Sequence, residues 1–303
     1  MGAQFLATAS TKRLVRNVLV HKAKFTRALD YVPLLPMAVL LGGFFLWPLG
    51  RMFLMSLGAP QLTLEFYREF FSSRAYLQVV IETVEMGVIV TGACLVFGYV
   101  MAGVLWVTRE SRGVGHAILT LCVLFPFWLS SLVRSYAWQV VLNRRGILNS
   151  FLLSLGLITK PVEILYTSAA MYIGLIYVLM PFMILPIYSV MTAIDERLLR
   201  ASLSLGASPL RTFVRVFFPL TLSGVAAGSL LVFILAVGAY ITPALLGGAA
   251  NLTLAMLVER QMVNLFNTHL ASAMAMVLGG ISVALFLVYW RVTGGERATA
   301  WRP

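Results

Sequence analysis

Long stretches without charged residues are the feature that most constrains how this chain can fold. Six stretches of 20 to 43 residues contain no Asp, Glu, Lys or Arg. About 20 apolar residues cross a bilayer core ~30 Å thick as a helix, so each stretch holds at least one membrane span. The stretches are Tyr31–Gly50, Met86–Thr108, Val114–Val133, Ile164–Ile194, Val216–Val258 and Gln261–Trp290. The sequence therefore predicts an all-α polytopic membrane protein with six transmembrane helices.

The longest of these stretches is long enough for two spans, but its sequence favours one. Pro219 lies near its start, and Thr242–Pro243 and Gly247–Gly248 lie in its second half. Proline and paired glycines interrupt regular helices. We therefore expect one helix, followed by a partly buried turn outside the membrane.

The same stretch contains a pair of glycines four residues apart. Gly224 and Gly228 lie on one face of the predicted helix, with Ser223 and Ala227 beside them. Small residues at this spacing allow two helices to approach closely in a membrane. We interpret them as ordinary packing within this chain.

The distribution of Lys and Arg predicts the orientation. Of the 23 Lys and Arg residues, fifteen fall on the inner side if the N-terminus is inside, and eight fall on the outer side. Cytoplasmic segments carry the excess of positive charge, so both termini are expected in the cytoplasm. The resulting prediction is a cytoplasmic tail over residues 1–30, a membrane domain over 31–292 and a cytoplasmic tail over 293–303. The first helix is expected to be uncleaved, and the net charge of +12 is a signal of topology rather than of nucleic-acid binding.

No pattern in the sequence indicates an enzyme. His21, His116 and His269 have no spacing typical of metal ligands, and no phosphate loop of the Walker type is present. We therefore expect no catalytic residue, no metal and no cofactor. Two classes of membrane protein without enzymatic activity remain possible at this point. One is a stand-alone ion-coupled secondary transporter, which would need inverted repeats and polar groups within the membrane. The other is a scaffold without transport activity.

A short helical hairpin interrupts the apolar sequence between the fourth and fifth predicted spans. The stretch "LLRASLSLGASPLRTFVRVFFPLT" (198–221) has Gly206 where a helix would end and Ser208–Pro209 where the next would begin. Its apolar residues recur at helical spacing on one face, and Pro219 is expected to mark the join to the next span. The first helix of the hairpin has a stripe formed by Ile194, Leu198, Ala201 and Leu205. A hairpin that merely links two spans is the simpler interpretation.

The hairpin resembles the cytoplasmic coupling loop of binding-protein-dependent ABC importer permeases, usually written E-A-A-x-x-x-G with a distal I-x-L-P. The matching residues are Arg200 to Ser208 and Val216 to Pro219. Other stretches resemble the spermidine/putrescine branch of that family: "PFWLSSLVRSYAWQVVL" (126–142), "GLIYVLMPFMILPIYSVM" (174–191) and "GAYITPALLGG" (238–248). The resemblance covers about residues 31–292.

The resemblance implies a division of labour among several proteins in the bacterial inner membrane. Two cytoplasmic ATP-binding subunits would receive the hairpins, a second permease subunit would complete a heterodimer, and an extracytoplasmic solute-binding protein would deliver the solute. Membrane lipid surrounds the permease, and no nucleic acid is involved. ATP hydrolysis would take place on the separate subunits. The implied cargo is a polyamine, with opines or other amino-acid derivatives as the alternative.

The coupling loop, about residues 194–220, supplies the residues that the resemblance assigns to contact with the ATPase. They are Arg200, Ala201, Ser202, Leu205, Gly206, Ala207, Ser208, Phe213 and Pro219. Arg200 stands where the family pattern has glutamate, and Ser202 replaces the second alanine. Either Asp195 or Glu196 supplies the missing negative charge, or the partner ATPase carries a complementary acid.

Candidate residues for the substrate path are fewer. Aromatic rings can receive a cation on their faces, and a basic residue near the outer end suits an anionic group. The candidates are Arg134, Tyr136, Trp138, Tyr240 and Glu259. Glu82 and Glu85 are expected near the outer start of the second helix, and the second permease subunit would supply the acids for a polyamine.

Overall fold

The computed structural model describes residues 35–111 and 113–294. The predicted N-terminal tail, Arg112, and the predicted C-terminal tail beyond Gly294 lie outside these residues. Contacts divide the described part of the chain into two compact units, with the boundary between Met55 and Ser56. The first unit contains most of the first helix, α1, which consists of Leu35–Leu41, a π-helical turn over Gly42–Leu46, and Trp47–Ser56.

The second unit is built from helices joined by short connections. Its helices are α2 (Glu65–Ser72), α3 (Arg74–Thr108), α4 (Val114–Trp128), α5 (Ser131–Leu142), α6 (Ile147–Ser154), α7 (Ser168–Ala193), α8 (Glu196–Ser204), α9 (Pro209–Val237), α10 (Ile241–Leu246), α11 (Leu254–Glu259) and α12 (Thr268–Gly294). A 3₁₀ turn covers Arg109–Ser111, and π-helical turns cover Phe213–Phe217 within α9 and Arg260–Asn264 after α11.

The predicted all-α membrane architecture is confirmed. Within the described residues, five helices are long and apolar enough to cross a membrane: Val39–Ser56 of α1, α3, α7, α9 and Thr268–Arg291 of α12. A sixth span is present if α4 and the stretch Ser131–Ser154 are taken as one broken span.

The third predicted span is not a single straight helix. It ends at Trp128, five residues earlier than the apolar stretch predicted, and the chain bends by 108° before continuing. The hydroxyl of Ser130 accepts a hydrogen bond from the backbone N–H of Leu132 at 3.3 Å. This bond caps a new helix, α5, so the chain has a helix break at Ser130. The apolar composition, which continues without interruption through this point, gives no sign of the break.

The second predicted span begins earlier than its apolar stretch. The structure starts α3 at Arg74, where the Ser73 hydroxyl accepts from the N–H of Tyr76. Glu82 and Glu85 therefore lie in the third and fourth turns of a 35-residue helix rather than at its start. The helix begins at the Ser73 cap rather than at the first uncharged residue, so it extends past both acids.

The core of the second unit lies where α3, α7 and α9 pack together. Buried side chains from all three helices form one cluster, including Cys94 of α3, Met183 of α7 and Val232 of α9. The Cys94 thiol donates to the backbone carbonyl of Ile176 at 3.7 Å. Cys122, by contrast, is exposed on α4.

The close approach of α9 to α7 depends on the two glycines noted in the sequence. A Cβ atom at Gly224 would lie 2.8 Å from the carbonyl oxygen of Pro186 and 3.0 Å from the Cα of Ile187. One at Gly228 would lie 2.9 Å from the sulfur of Met183. The interpretation of this pair as packing within the chain is confirmed.

The predicted turn after the fifth span is a short buried helix instead. Thr242 and Pro243 belong to α10 and are buried, and the Thr242 hydroxyl is 2.8 Å from that of Ser135 in α5. Gly248 allows the backbone at Tyr166 to lie close to it, since a Cβ atom at Gly248 would be 2.2 Å from the carbonyl oxygen of Tyr166. Pairing with α5 buries this segment, which composition alone could not reveal.

Candidate functional site

The hairpin (residues 194–220) has a turn of fixed geometry at its tip. Gly206 has φ +84°, in the left-handed region that favours glycine. Its N–H donates to the carbonyl of Leu203 at 3.0 Å, and the N–H of Ala207 donates to that of Ser202 at 3.2 Å. These two bonds form a Schellman motif, which satisfies the last carbonyls of α8. The predicted helix end at Gly206 is confirmed.

The second arm of the hairpin begins as the sequence predicted. The Ser208 hydroxyl accepts from the N–H of Arg211 at 3.3 Å, and Pro209 occupies the first helical turn. The two arms are joined by a hydrogen bond between the hydroxyls of Ser202 and Thr212, 3.0 Å apart. Ser202 therefore does more than replace an alanine, because its hydroxyl fixes one arm against the other.

The join between the hairpin and the membrane differs from the prediction. Pro219 does not interrupt the helix, because α9 runs continuously from Pro209 to Val237. Just before the proline, the helix widens into a π turn in which the N–H of Phe218 donates to the carbonyl of Phe213, five residues back. A locally wider turn accommodates a residue that has no N–H to donate. The tip of the hairpin is thus connected to the core by one helix.

An ion-pair cluster attaches the first arm to the end of α3. The Glu196 carboxylate accepts from Arg109 and, at 3.1 Å, from Arg200 one turn along α8. Asp195 is also engaged, since its carboxylate caps α8 by accepting from the N–H of Arg197 at 2.9 Å. Both acids proposed as substitutes for the family glutamate are thus used within the chain.

These contacts keep Glu196 ionised. The hydrogen bonds from Arg200 and Arg109 hold the pKa of the Glu196 carboxyl below its usual value, although partial burial acts in the opposite direction. Because the folded-state pKa is lowered, the ion pair is intact at neutral pH and is lost only as the pH falls through that lowered pKa.

Aromatic rings reinforce the attachment. The Trp106 ring lies 4.8 Å from that of Phe217 and 4.4 Å from the guanidinium carbon of Arg109. Phe213 contacts Tyr99 of α3 edge-on at 6.4 Å. Phe213 was predicted to face a partner, and the structure shows that one side of its ring packs on α3 while 40% of the residue is exposed.

The outer face of the hairpin is apolar at its tip and cationic along its sides. Leu205 is 88% exposed and Leu210 is 73% exposed, on either side of the turn. Leu198 and Ala201 of the predicted stripe are exposed too, whereas Ile194 packs against the core. The same hairpin carries four exposed cations, namely Arg197, Arg200, Arg211 and Arg215.

The substrate-path candidates do not all come together. Trp138 packs edge-on against Tyr177 at 5.6 Å, beside the buried Leu142. Tyr136 lies two residues away on α5, so it points to a different side of the helix. Tyr136 is 59% exposed and Tyr240 is 39% exposed, and neither has a ring contact among the residues that the structure describes. Trp138 therefore contributes to packing in this chain.

The charged candidates have separate environments. Arg134 donates from Nη1 to the backbone carbonyl of Val178 at 3.3 Å, and its Nε is buried without a hydrogen-bond partner among the described residues. Glu259 ends α11 and is half-buried. Glu82 accepts from Gln78 at 3.0 Å, and Glu85 is exposed.

Sequence reasoning missed three residues that hold the hairpin in place. Trp106 belongs to α3 and Arg109 to the turn after it, and both lie 80 or more residues before the hairpin in the sequence. Thr212 lies within the hairpin but carries no special signal. Ion pairs and ring contacts across such distances leave no periodic pattern in one sequence, so only the folded chain shows them.

Comparison with known proteins gives a consistent result. Residues 94–292 match the family of binding-protein-dependent transport system inner membrane components. The chain is 38% identical over 218 residues to the spermidine/putrescine transport system permease protein PotB of Escherichia coli K12, covering 72% of this chain and 78% of that protein. It is also 38% identical over 230 residues to PotB of Haemophilus influenzae, covering 76% and 79%.

The fold has relatives among solved structures. A chain of the bacterial alginate ABC transporter, in complex with an alginate pentasaccharide-bound periplasmic protein, superimposes with a TM-score of 0.73 at 15% identity, covering 92% of this chain and 97% of that one. At this identity the likeness concerns the fold, which confirms the expected permease architecture. From the family match and the PotB identity, this chain belongs to the family of binding-protein-dependent transport system inner membrane components.

Proposed function

We propose that this chain is one of two membrane subunits of an ATP-driven importer for spermidine, putrescine or a related polyamine. The observation that carries the proposal is the 38% identity to PotB over most of both chains. In this proposal both termini are cytoplasmic, two ATP-binding subunits sit on the cytoplasmic side, and an extracytoplasmic binding protein delivers the solute. The membrane domain covers about residues 31–292.

The hairpin is the proposed contact with the ATP-binding subunits. Its capped tip is rigid, and its apolar residues are exposed at 73–88% on both sides of Gly206. Exposed apolar side chains on a polar-rimmed surface are typical of protein contacts. The residues assigned to this contact are Arg200, Ala201, Leu205, Gly206, Ala207 and Ser208, while Ser202, Phe213 and Pro219 support it from within.

Motion of the hairpin would reach the membrane core by two routes. One is the continuous helix α9, and the other is the ion pair that joins Glu196 to Arg109 at the end of α3. Since α3 and α9 pack on α7 in the core, both routes converge on the same helices. Rigid-body movement of these helices would alternate access to a central site.

The second route leads to a testable expectation. Glu196→Arg places three cations together, and Arg109→Glu places two acids together. Each change should lower ATP-driven uptake by up to about fivefold, which corresponds to the upper end of the energy of a partly exposed ion pair. The double change Arg109→Glu/Glu196→Arg restores opposite charges and should recover part of the uptake. Uptake and ATP hydrolysis are measured together in reconstituted vesicles, and hydrolysis should fall less than uptake.

The matched control for this experiment breaks a different ion pair. Arg144 pairs with Glu163 at 3.0 Å on an exposed loop outside the hairpin, so Arg144→Glu should leave uptake unchanged. If Arg144→Glu is as harmful as Arg109→Glu, or if the double variant is no better than the singles, the second route does not exist.

The choice of polyamine over other solutes rests on the relatives and on the acids of α3. Glu82 and Glu85 have no ion-pair partner among the described residues, and carboxylates are the groups that would balance a polycation. The alternative is an opine or another amino-acid derivative. The buried Nε of Arg134, which lacks a partner in the described part of the chain, favours this alternative because it would suit an anionic group.

Purification in mild detergent from the native membrane tests the assembly. We expect an ATP-binding protein and a second permease to accompany the chain, identified by mass spectrometry. The associated solute-binding protein is then titrated with spermidine, putrescine and an opine by calorimetry. Preferential binding of the opine would replace the polyamine proposal. Recovery of the chain alone, under conditions that preserve other known complexes, would favour a stand-alone ion-coupled transporter.

A further inference from the structure

The hairpin carries four arginines and two acids, and all four arginines are exposed. Between residues 194 and 221 the only acids are Asp195 and Glu196. Asp195 caps α8, and Glu196 binds Arg109 and Arg200. Glu196 is therefore ion-paired within the chain, and one carboxylate oxygen of Asp195 is used by the helix cap.

Three arginines of the hairpin have no ion-pair partner among the described residues. Arg197, Arg211 and Arg215 are all exposed. Arg197 lies on the first arm and Arg211 and Arg215 lie on the second, while Leu205 and Leu210 are exposed on either side of the turn between the arms. Unpaired cations around an exposed apolar centre match a partner surface that is apolar in the middle and acidic at the rim.

We infer that the hairpin docks into an acidic cleft of the cytoplasmic ATP-binding subunit, with carboxylates of that subunit facing Arg197 and Arg211. This inference rests on the proposed function, which supplies the partner, and adds the chemistry of the cleft. Such a cleft complements the charge of this chain, whereas a basic cleft would repel the hairpin. Arg200 contributes charge to the same surface, although part of it is balanced by Glu196.

The capped shape of the hairpin favours a protein partner over lipid head groups. The Schellman turn at Gly206 and the hydroxyl pair Ser202–Thr212 hold the two arms in one arrangement. A fluid lipid surface gives no advantage to such a fixed shape, whereas a cleft does. The attachment of the first arm to Arg109 further holds the hairpin in position against the membrane core.

The test uses the assembled complex purified from membranes with the wild-type partners. In the variant Arg197→Glu/Arg211→Glu, the ratio of ATP-binding subunit to second permease, quantified by mass spectrometry, should fall at least about tenfold. Arg200 is left unchanged because its replacement would also break the pair with Glu196. The conservative variant Arg197→Lys/Arg211→Lys keeps the charge and should retain most of the ATP-binding subunit.

The matched control carries the same change of charge elsewhere. Arg144→Glu/Arg145→Glu reverses two arginines on the loop between α5 and α6 and should leave the subunit ratio unchanged. A second measurement needs no variant: raising the salt concentration should release the ATP-binding subunit from the wild-type complex, because salt screens exposed charges.

The outcomes separate the alternatives. An unchanged or higher ratio in Arg197→Glu/Arg211→Glu, or a salt-insensitive wild-type complex, overturns the acidic cleft while leaving the importer proposal intact. Retained ATP-binding subunit with a loss of co-purified anionic lipid overturns it in favour of lipid head groups. If the wild-type chain brings no ATP-binding subunit at all, the proposed function itself fails.

Discussion

Replacing Gly206 with valine is expected to reduce ATP-driven uptake at least about tenfold, while the chain still inserts into the membrane. The residue has φ +84° at the end of α8, a backbone conformation that costs a β-branched residue roughly 1–3 kcal/mol. The added side chain meets no neighbour, since nothing lies within 4 Å of its Cβ position. The cost therefore falls on the turn itself, which loses its Schellman geometry and tilts the tip away from the partner. Uptake into reconstituted vesicles measures the effect.

The chain offers a closely matched control for this change. Gly156 has φ +68°, also has nothing near its Cβ position, and ends α6 with the same pair of backbone bonds, from Gly156 to Leu153 and from Leu157 to Leu152. Gly156→Val carries the same backbone strain outside the hairpin and should leave most uptake intact. Equal losses in the two variants would show that strain alone is responsible, and unchanged uptake in Gly206→Val would remove the coupling role of the hairpin.

Replacing Gly224 with valine is expected to have the largest effect on folding. Its Cβ would meet the backbone of α7 at Pro186 and Ile187, at 2.8 and 3.0 Å, and backbone atoms cannot rotate away. Helices α7 and α9 must separate, which opens the core around Met183. Overpacking of this kind costs roughly 1–3 kcal/mol. For a chain of this length we expect the melting temperature to fall by roughly 2–10 °C, with less protein recovered from the membrane.

Gly280 provides the comparison, because it lies in α12 and nothing is within 4 Å of its Cβ position. Gly280→Val should therefore melt close to wild type. A melting temperature for Gly224→Val that matches Gly280→Val would mean that α9 and α7 are less closely packed than the structure shows.

Local chemistry explains which parts of the hairpin were predictable from sequence. Gly206 ends a helix because few other residues adopt positive φ. Ser208 and Pro209 begin the next helix because the Ser208 hydroxyl accepts a hydrogen bond from a free N–H group, and Pro209 has no N–H group that would need a partner. These effects act within a few residues along the chain. The break at Ser130 is also local, but it was hidden within an apolar stretch and was therefore missed.

The sequence by itself determined the membrane class, the number of apolar stretches and the shape of the hairpin tip, because burial in lipid and helix capping depend on residue type and near neighbours. Only the tertiary structure decided that Glu196 pairs with Arg109, that α9 continues through Pro219, and that Thr242 is buried against Ser135. Such pairings join residues that are far apart in the chain, and their energy depends on the distance that folding sets between them. For the same reason, Arg197 and Arg211 were seen as unpaired cations only once the folded chain showed which acids were already occupied.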